Sequence, residues 1–156
     1  MPEFWNAGLT AHGRKQAAEA FAAAAAGCLA ARIVVSPLKR ALETAVIMFP
    51  DRSLEINDLV TEGNPAWPCN RREDLAALEE RFMGGGHMIV CSTETPTWSE
   101  SEEDVRARVA AFFATVKEPT VIVSHSDFIR AALHVAGAAN RNIKHCLPVL
   151  IHIRSN

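Results

Sequence analysis

The sequence predicts an α/β fold, a three-layer α/β/α sandwich built on a mainly parallel sheet. Two short, almost continuous apolar runs, Arg32–Val35 and Thr120–Val123, read as strands buried on both faces. Each run passes directly into a helix start, Ser36-Pro37 after the first and Ser124-His125-Ser126 after the second. Segments with helical apolar spacing lie between the strand signals, and that alternation implies right-handed crossovers with helices on both faces. The chain has 156 residues, 49% of them apolar, which suits one domain with one core.

The elements follow in order. Thr10 can cap a helix running through Gln16, Ala17, Ala20 and Phe21 into the Ala22–Ala26 run, with Gly27 ending it. Arg32–Val35 is the first strand. Ser36 then stands at a cap position and Pro37 at the first helical position of a helix carrying Leu38, Ala41, Leu42, Ala45, Val46 and Met48. Leu54–Ile56 reads as a second short strand. Asn57 to Arg72 is loop-like, with Gly63-Asn64-Pro65 and Pro68. Arg72–Phe82 reads as a polar, exposed helix, Gly84-Gly85-Gly86 as a break, His87–Val90 as a strand and Ser92–Thr97 as a polar loop. Glu100–Val116 carries Val105, Val109, Phe112, Phe113 and Val116 at helical spacing. After Thr120–Val123 comes a helix over Asp127–Ala136, and Leu147–Ile153 reads as a final strand.

Charge narrows the partners. Formal net charge is -2, and basic residues are scattered apart from Arg71-Arg72, so no general nucleic-acid surface is expected. No apolar run approaches the roughly 20 residues that span a bilayer. Residues Met1 to Asn6 include Glu3 and lack a signal-peptide core. Cys28, Cys69, Cys91 and Cys146 form no C-x-x-C pair, which argues against a zinc site or a disulfide framework. A reducing, cytoplasmic setting is the expectation.

In such sheets, chemistry collects at the carboxyl ends of the strands. At the first, a helix N-terminus offers N–H groups to an anion, and Arg40 lies one turn inside, able to reach the same anion. At the second, His125 stands directly after a buried strand, where imidazole can bind an anion as the cation or move protons. Glu62 could protonate a leaving alkoxide, with Asp58, Glu73 and Asp74 as acidic competitors. Arg130 is expected to face solvent or pair locally.

Together these pieces resemble the histidine phosphatase superfamily, which contains the phosphoglycerate mutases. Leu9-Thr10-Ala11-His12-Gly13-Arg14-Lys15-Gln16-Ala17 is similar to its L-T-x-x-G-x-x-Q-A signature, and Ser36-Pro37-Leu38-Lys39-Arg40-Ala41 with Thr44-Ala45 to S-P-L-x-R-A-x-x-T-A. Val123-Ser124-His125-Ser126 through Arg130 is similar to V-S-H-G-x-x-I-R, with Ser126 where Gly is usual. Leu59–Asn70, with Glu62, resembles the loop bearing the acidic catalyst in one branch. The resemblance implies that Arg40, His125 and Ser126 bind the phosphoryl group. It implies too that His125 stabilises phosphoryl transfer and that Glu62 protonates the leaving group. It implies a phosphorylated small molecule or phosphate as partner, and no metal or organic cofactor. Hydrolysis of a phosphomonoester is expected over mutase chemistry. Trp67 and Trp98 could line the substrate pocket or anchor their loops.

The departure is at the family's phosphorylated histidine, which sits in an Arg-His-Gly or Arg-His-Ala motif closing the first strand. No Arg-His pair occurs in this sequence, and only Met1–Gly8 precede Leu9. His12 follows Ala11 at a variable position of the first signature and is expected on the surface. His87, His134, His145 and His152 match no catalytic signature. The expectation is therefore a single domain over residues 1–156, N-terminally incomplete and lacking the family's first strand, which lies inside the sheet. Its loss would leave a strand edge unpaired, which favours association into an oligomer. Three readings are open. The chain is a truncated record of a phosphatase, inactive as written. It is a pseudoenzyme that binds a phosphate ligand or serves in assembly. Or it is an unrelated α/β domain with chance motif matches.

Overall fold

The computed structural model describes residues 5–24, 32–82, 84–146 and 148–153. Its elements are α1 (Ala11–Ala24), β1 (Arg32–Val35), α2 (Lys39–Met48), β2 (Glu55–Asn57), α3 (Leu75–Phe82), β3 (Met88–Val90), α4 (Glu102–Thr115), β4 (Thr120–Val123) and α5 (Ser126–Val135). The expected helix end at Gly27, and Cys28, lie outside the described residues. The four strands form one parallel sheet in the order β3-β2-β1-β4.

Side-chain alternation along β1 divides the molecule into layers. Ile33 and Val35 point into a core shared with Ala41, Leu42 and Ala45 of α2 and Leu78 and Phe82 of α3. Val34 points the other way, to Val105, Val109, Phe112 and Phe113 of α4 and Phe128, Ala131 and Ala132 of α5. β1 is buried on both faces, so its apolar run has no alternation to show. Arg32 opens that strand and forks onto Glu55 of β2, both contacts at 2.8 Å. Its guanidinium lies 5.7 Å from the centre of the Phe112 ring. No helix among the described residues is long and apolar enough to cross a membrane. Cys69, Cys91 and Cys146 are free thiols.

Three expectations change. The segment Arg72–Phe82 is not an exposed helix. Leu78 is fully buried and Phe82 nearly so, while Arg72, 2% exposed, forks onto Asp58 and donates to the carbonyls of Glu73, Ser92 and Glu94. Two well-spaced apolar residues, Leu78 and Phe82, anchor the helix although Glu79, Glu80 and Arg81 between them are exposed.

The helix after β1 starts at Lys39, with Leu38 at the cap position. Asn6, at φ 41°, supplies the cap from a distance: its Oδ1 accepts the Lys39 N–H at 2.9 Å.

The described part of Leu147–Ile153, residues 148–153, is not a strand. β4 forms the outer edge of the sheet, and Leu150 is 77% exposed. Among the described residues this segment pairs with no strand, and a strand exists only as a member of a pair.

Candidate active site

The register of two neighbouring strands brings the site together. β1 and β4 pair from Arg32 against Thr120 to Val35 against Val123, and the Ser36 N–H continues the ladder to the Val123 carbonyl at 3.0 Å. The two chains therefore leave the sheet side by side. The helices following β1 and β2 cover one face, and those flanking β4 cover the other. The chain reverses its path across the sheet at this point, where α/β folds open a crevice.

Ser36 and His125 meet at that junction. Ser36 is fully buried, and its hydroxyl lies 2.7 Å from His125 Nε2. The same hydroxyl accepts the Leu38 N–H at 3.3 Å. Burial drives the basicity of His125 well below the ordinary imidazole value, and the positive charges of Arg40 and Arg108 lower it further. The fold thus favours the neutral form of the ring.

Arg40, on the first turn of α2, is held by the turn at Pro68–Asn70. It donates to the Cys69 carbonyl at 2.8 Å and to Asn70 Oδ1 at 3.0 Å. Burial lowers its pKa, while Glu62 and Cys69 pull the other way. Asn70 donates in turn to the Gly63 carbonyl at 2.7 Å, which ties the arginine's support to the loop carrying Glu62.

Glu62 Oε1 accepts the Gly63 N–H at 3.1 Å and the Asp127 N–H, at the head of α5, at 3.2 Å. Burial raises its pKa above the ordinary carboxylate value, and Asp127 adds to the rise. The two N–H groups and Arg40 oppose it. Arg40 thus lies within electrostatic reach of both Glu62 and His125, which come from two other segments. Ser126 is exposed at the first position of α5.

Two of the N–H groups at the start of α2 already have partners: Ser36 Oγ takes that of Leu38 and Asn6 Oδ1 that of Lys39. Arg130 is exposed and lies 3.5 Å from Asp127. His12, His145 and His152 are exposed, and His87 Nδ1 accepts the Leu54 N–H. His134, Asp127, Arg106 and Arg130 line a polar cleft of about 340 Å³ beside Gly63. Trp98 lines a separate apolar cleft with Leu59, Val90 and Pro96, whereas Trp67 is 60% exposed. Sequence reading missed Asn70 as the partner of Arg40, and Ser36 as the partner of His125. Ser36 carried a competing signal as a cap, and an asparagine in a loop carries none.

The family model described as histidine phosphatase superfamily (branch 1) matches residues 5–148. No curated protein gives a significant match. Solved structures do. One, a protein from Thermus thermophilus, is 24% identical with a TM-score of 0.57 over 86% of this chain and 73% of its own. The Entamoeba histolytica phosphoserine phosphatase bound to 3-phosphoglyceric acid is 20% identical, with a TM-score of 0.54 over 83% of this chain and 66% of its own. A mycobacterial glucosyl-3-phosphoglycerate phosphatase with inorganic phosphate is 24% identical, with a TM-score of 0.53 over 87% and 72%. At these identities the likeness establishes the fold. The chain spans 66–73% of the length of these three structures.

Proposed function

The chain belongs to the histidine phosphatase superfamily, and on that premise we propose that its crevice holds the phosphoryl group of a small phosphomonoester between Arg40 and His125. The observation that carries this reading is the register-matched junction of β1 and β4. It sets His125 against Ser36, with Arg40 electrostatically coupled to both His125 and Glu62.

Each group has a role. Arg40 offers a planar fork to two phosphoryl oxygens. His125, neutral while the crevice is empty, takes up a proton as the dianion enters and then donates to a third oxygen. Ser126 adds a hydroxyl at the head of α5. Glu62, kept protonated by burial to higher pH than an ordinary carboxylate, gives its proton to the departing alkoxide. The family's two-step route also needs a histidine nucleophile, and none of the six histidines here follows an arginine. Hydrolysis therefore depends on a further strand, ending in Arg-His-Gly or Arg-His-Ala, added at the open edge of β4. The same edge would serve another chain if this one acts as a phosphate-binding assembly subunit. A reducing cytoplasm fits the free thiols.

An aryl phosphate assay at mildly acidic pH tests the reading. The expected result is no turnover by this chain alone. Turnover should appear when an apolar strand ending in Arg-His-Gly is joined at its amino end, and should fall by about 10²–10⁴-fold on Glu62→Gln. Turnover by the chain alone that vanishes on His125→Ala would contradict it, because another nucleophile would then be at work.

A further inference from the structure

We propose that Arg108, paired with Glu100, is the positioning residue of this site, fixing the loop that carries Glu62 to the helical core. The proposal rests on Glu62 being the site's acid, and it is carried by the hydrogen bonding of that loop. Every backbone carbonyl from Leu59 to Gly63 is taken by a side chain from elsewhere in the fold. Arg108 takes three of the five: Leu59 at 3.0 Å, Thr61 at 2.9 Å and Glu62 at 3.5 Å. Ser124 takes Val60 at 2.6 Å, and Asn70 takes Gly63 at 2.7 Å.

The remaining reach of the guanidinium goes to both oxygens of Glu100, at 2.9 and 2.8 Å. The pair is nearly buried, with side-chain exposures of 10% and 5%. Glu100 thus fixes the plane of the fork, and the fork fixes the carbonyls. Arg108 stands on α4, whose Val105, Val109 and Phe112 sit in the core, so the loop is tied to the buried core of the molecule. The segment before α4 adds a second grip: the Glu100 N–H donates to Asn64 Oδ1 at 3.1 Å, and the Ala66 N–H donates to the Trp98 carbonyl at 3.0 Å. Gly63 lets the loop lie this close, since a Cβ there would meet Asp127 Oδ2 at 3.3 Å.

A lysine at position 108 keeps the charge but has no fork, so it cannot hold Glu100 and three carbonyls at once. The charged groups facing Glu62 are Arg40 from α2 and Asp127 from α5, and neither changes in such a variant. The amide resonances of Gly63 and Asp127, which donate to Glu62, report its titration by NMR without phosphate present. In the parent chain both should follow one transition above the ordinary carboxylate range. In Arg108→Lys the transition should fall back toward that range, and amide exchange across 59–63 should speed up, with the rest of the spectrum retained. Asn64→Gly, which removes the acceptor of the Glu100 N–H while tolerating the φ of 53° at that position, should give a smaller change in the same sense. A folded Arg108→Lys with an unchanged Glu62 transition would overturn the proposal. So would loss of the Glu62 shift in Asn64→Gly alone. Phosphate titration of the parent chain tests the functional reading separately, so the two failures can be told apart.

Discussion

At the residue scale the site turns on a buried imidazole without charge. His125 is 8% exposed and faces two cations, and its basicity is lowered because the fold favours the neutral ring. The unfolded chain takes up a proton first as the pH falls through the ordinary value of 6.5, so stability is lost with falling pH below that point and recovered above it. Glu62 acts in the opposite sense: its folded-state pKa lies above 4.5, so its contribution is lost as pH rises through the folded value. Urea midpoints between pH 7 and 5 should decline for the parent chain, and the decline should flatten in His125→Gln. An equal slope in both would mean the ring is not held neutral. His125 and Arg40 were legible in the sequence because each follows a strand that announces itself by an apolar run. The proton state of the ring was not, since it depends on burial and on the charges of Arg40 and Arg108, which tertiary folding brings to it.

At the scale of elements, the central strands and α4 were legible because burial leaves a repeating pattern. Thr120–Val123 matches its expected span residue for residue. α3 was misread as exposed because only Leu78 and Phe82 carry its packing. Leu78→Ala should therefore cost about 2–5 kcal/mol, against less than about 0.5 kcal/mol for the exposed Glu79→Ala, by denaturant unfolding. Equal small effects would return α3 to the surface. Two structural arginines, Arg72 and Arg108, escaped the sequence for a common reason. Their acceptors are backbone carbonyls and a carboxylate brought in by tertiary folding, and no spacing rule links Arg108 to Thr61 across 47 positions.

For the molecule as a whole, the order β3-β2-β1-β4 leaves β4 on the outside, half-buried along its length, with the crevice at its carboxyl end. The C-terminal segment 148–153 reads as a strand by composition, yet strand formation is a property of a pair, and among the described residues this segment pairs with no strand. Where the sheet has its neighbours, composition and structure agree. Whether Arg40 and His125 share one phosphate is decided by titrating the chain with inorganic phosphate while following the His125 ring by NMR. The expected response is a saturable shift toward the protonated imidazole and tighter binding as pH falls, because the complex holds a proton that the free site lacks. Both should be lost in Arg40→Met. A His125 ring indifferent to phosphate, or a response that survives Arg40→Met unchanged, would mean that the two residues do not hold a common anion.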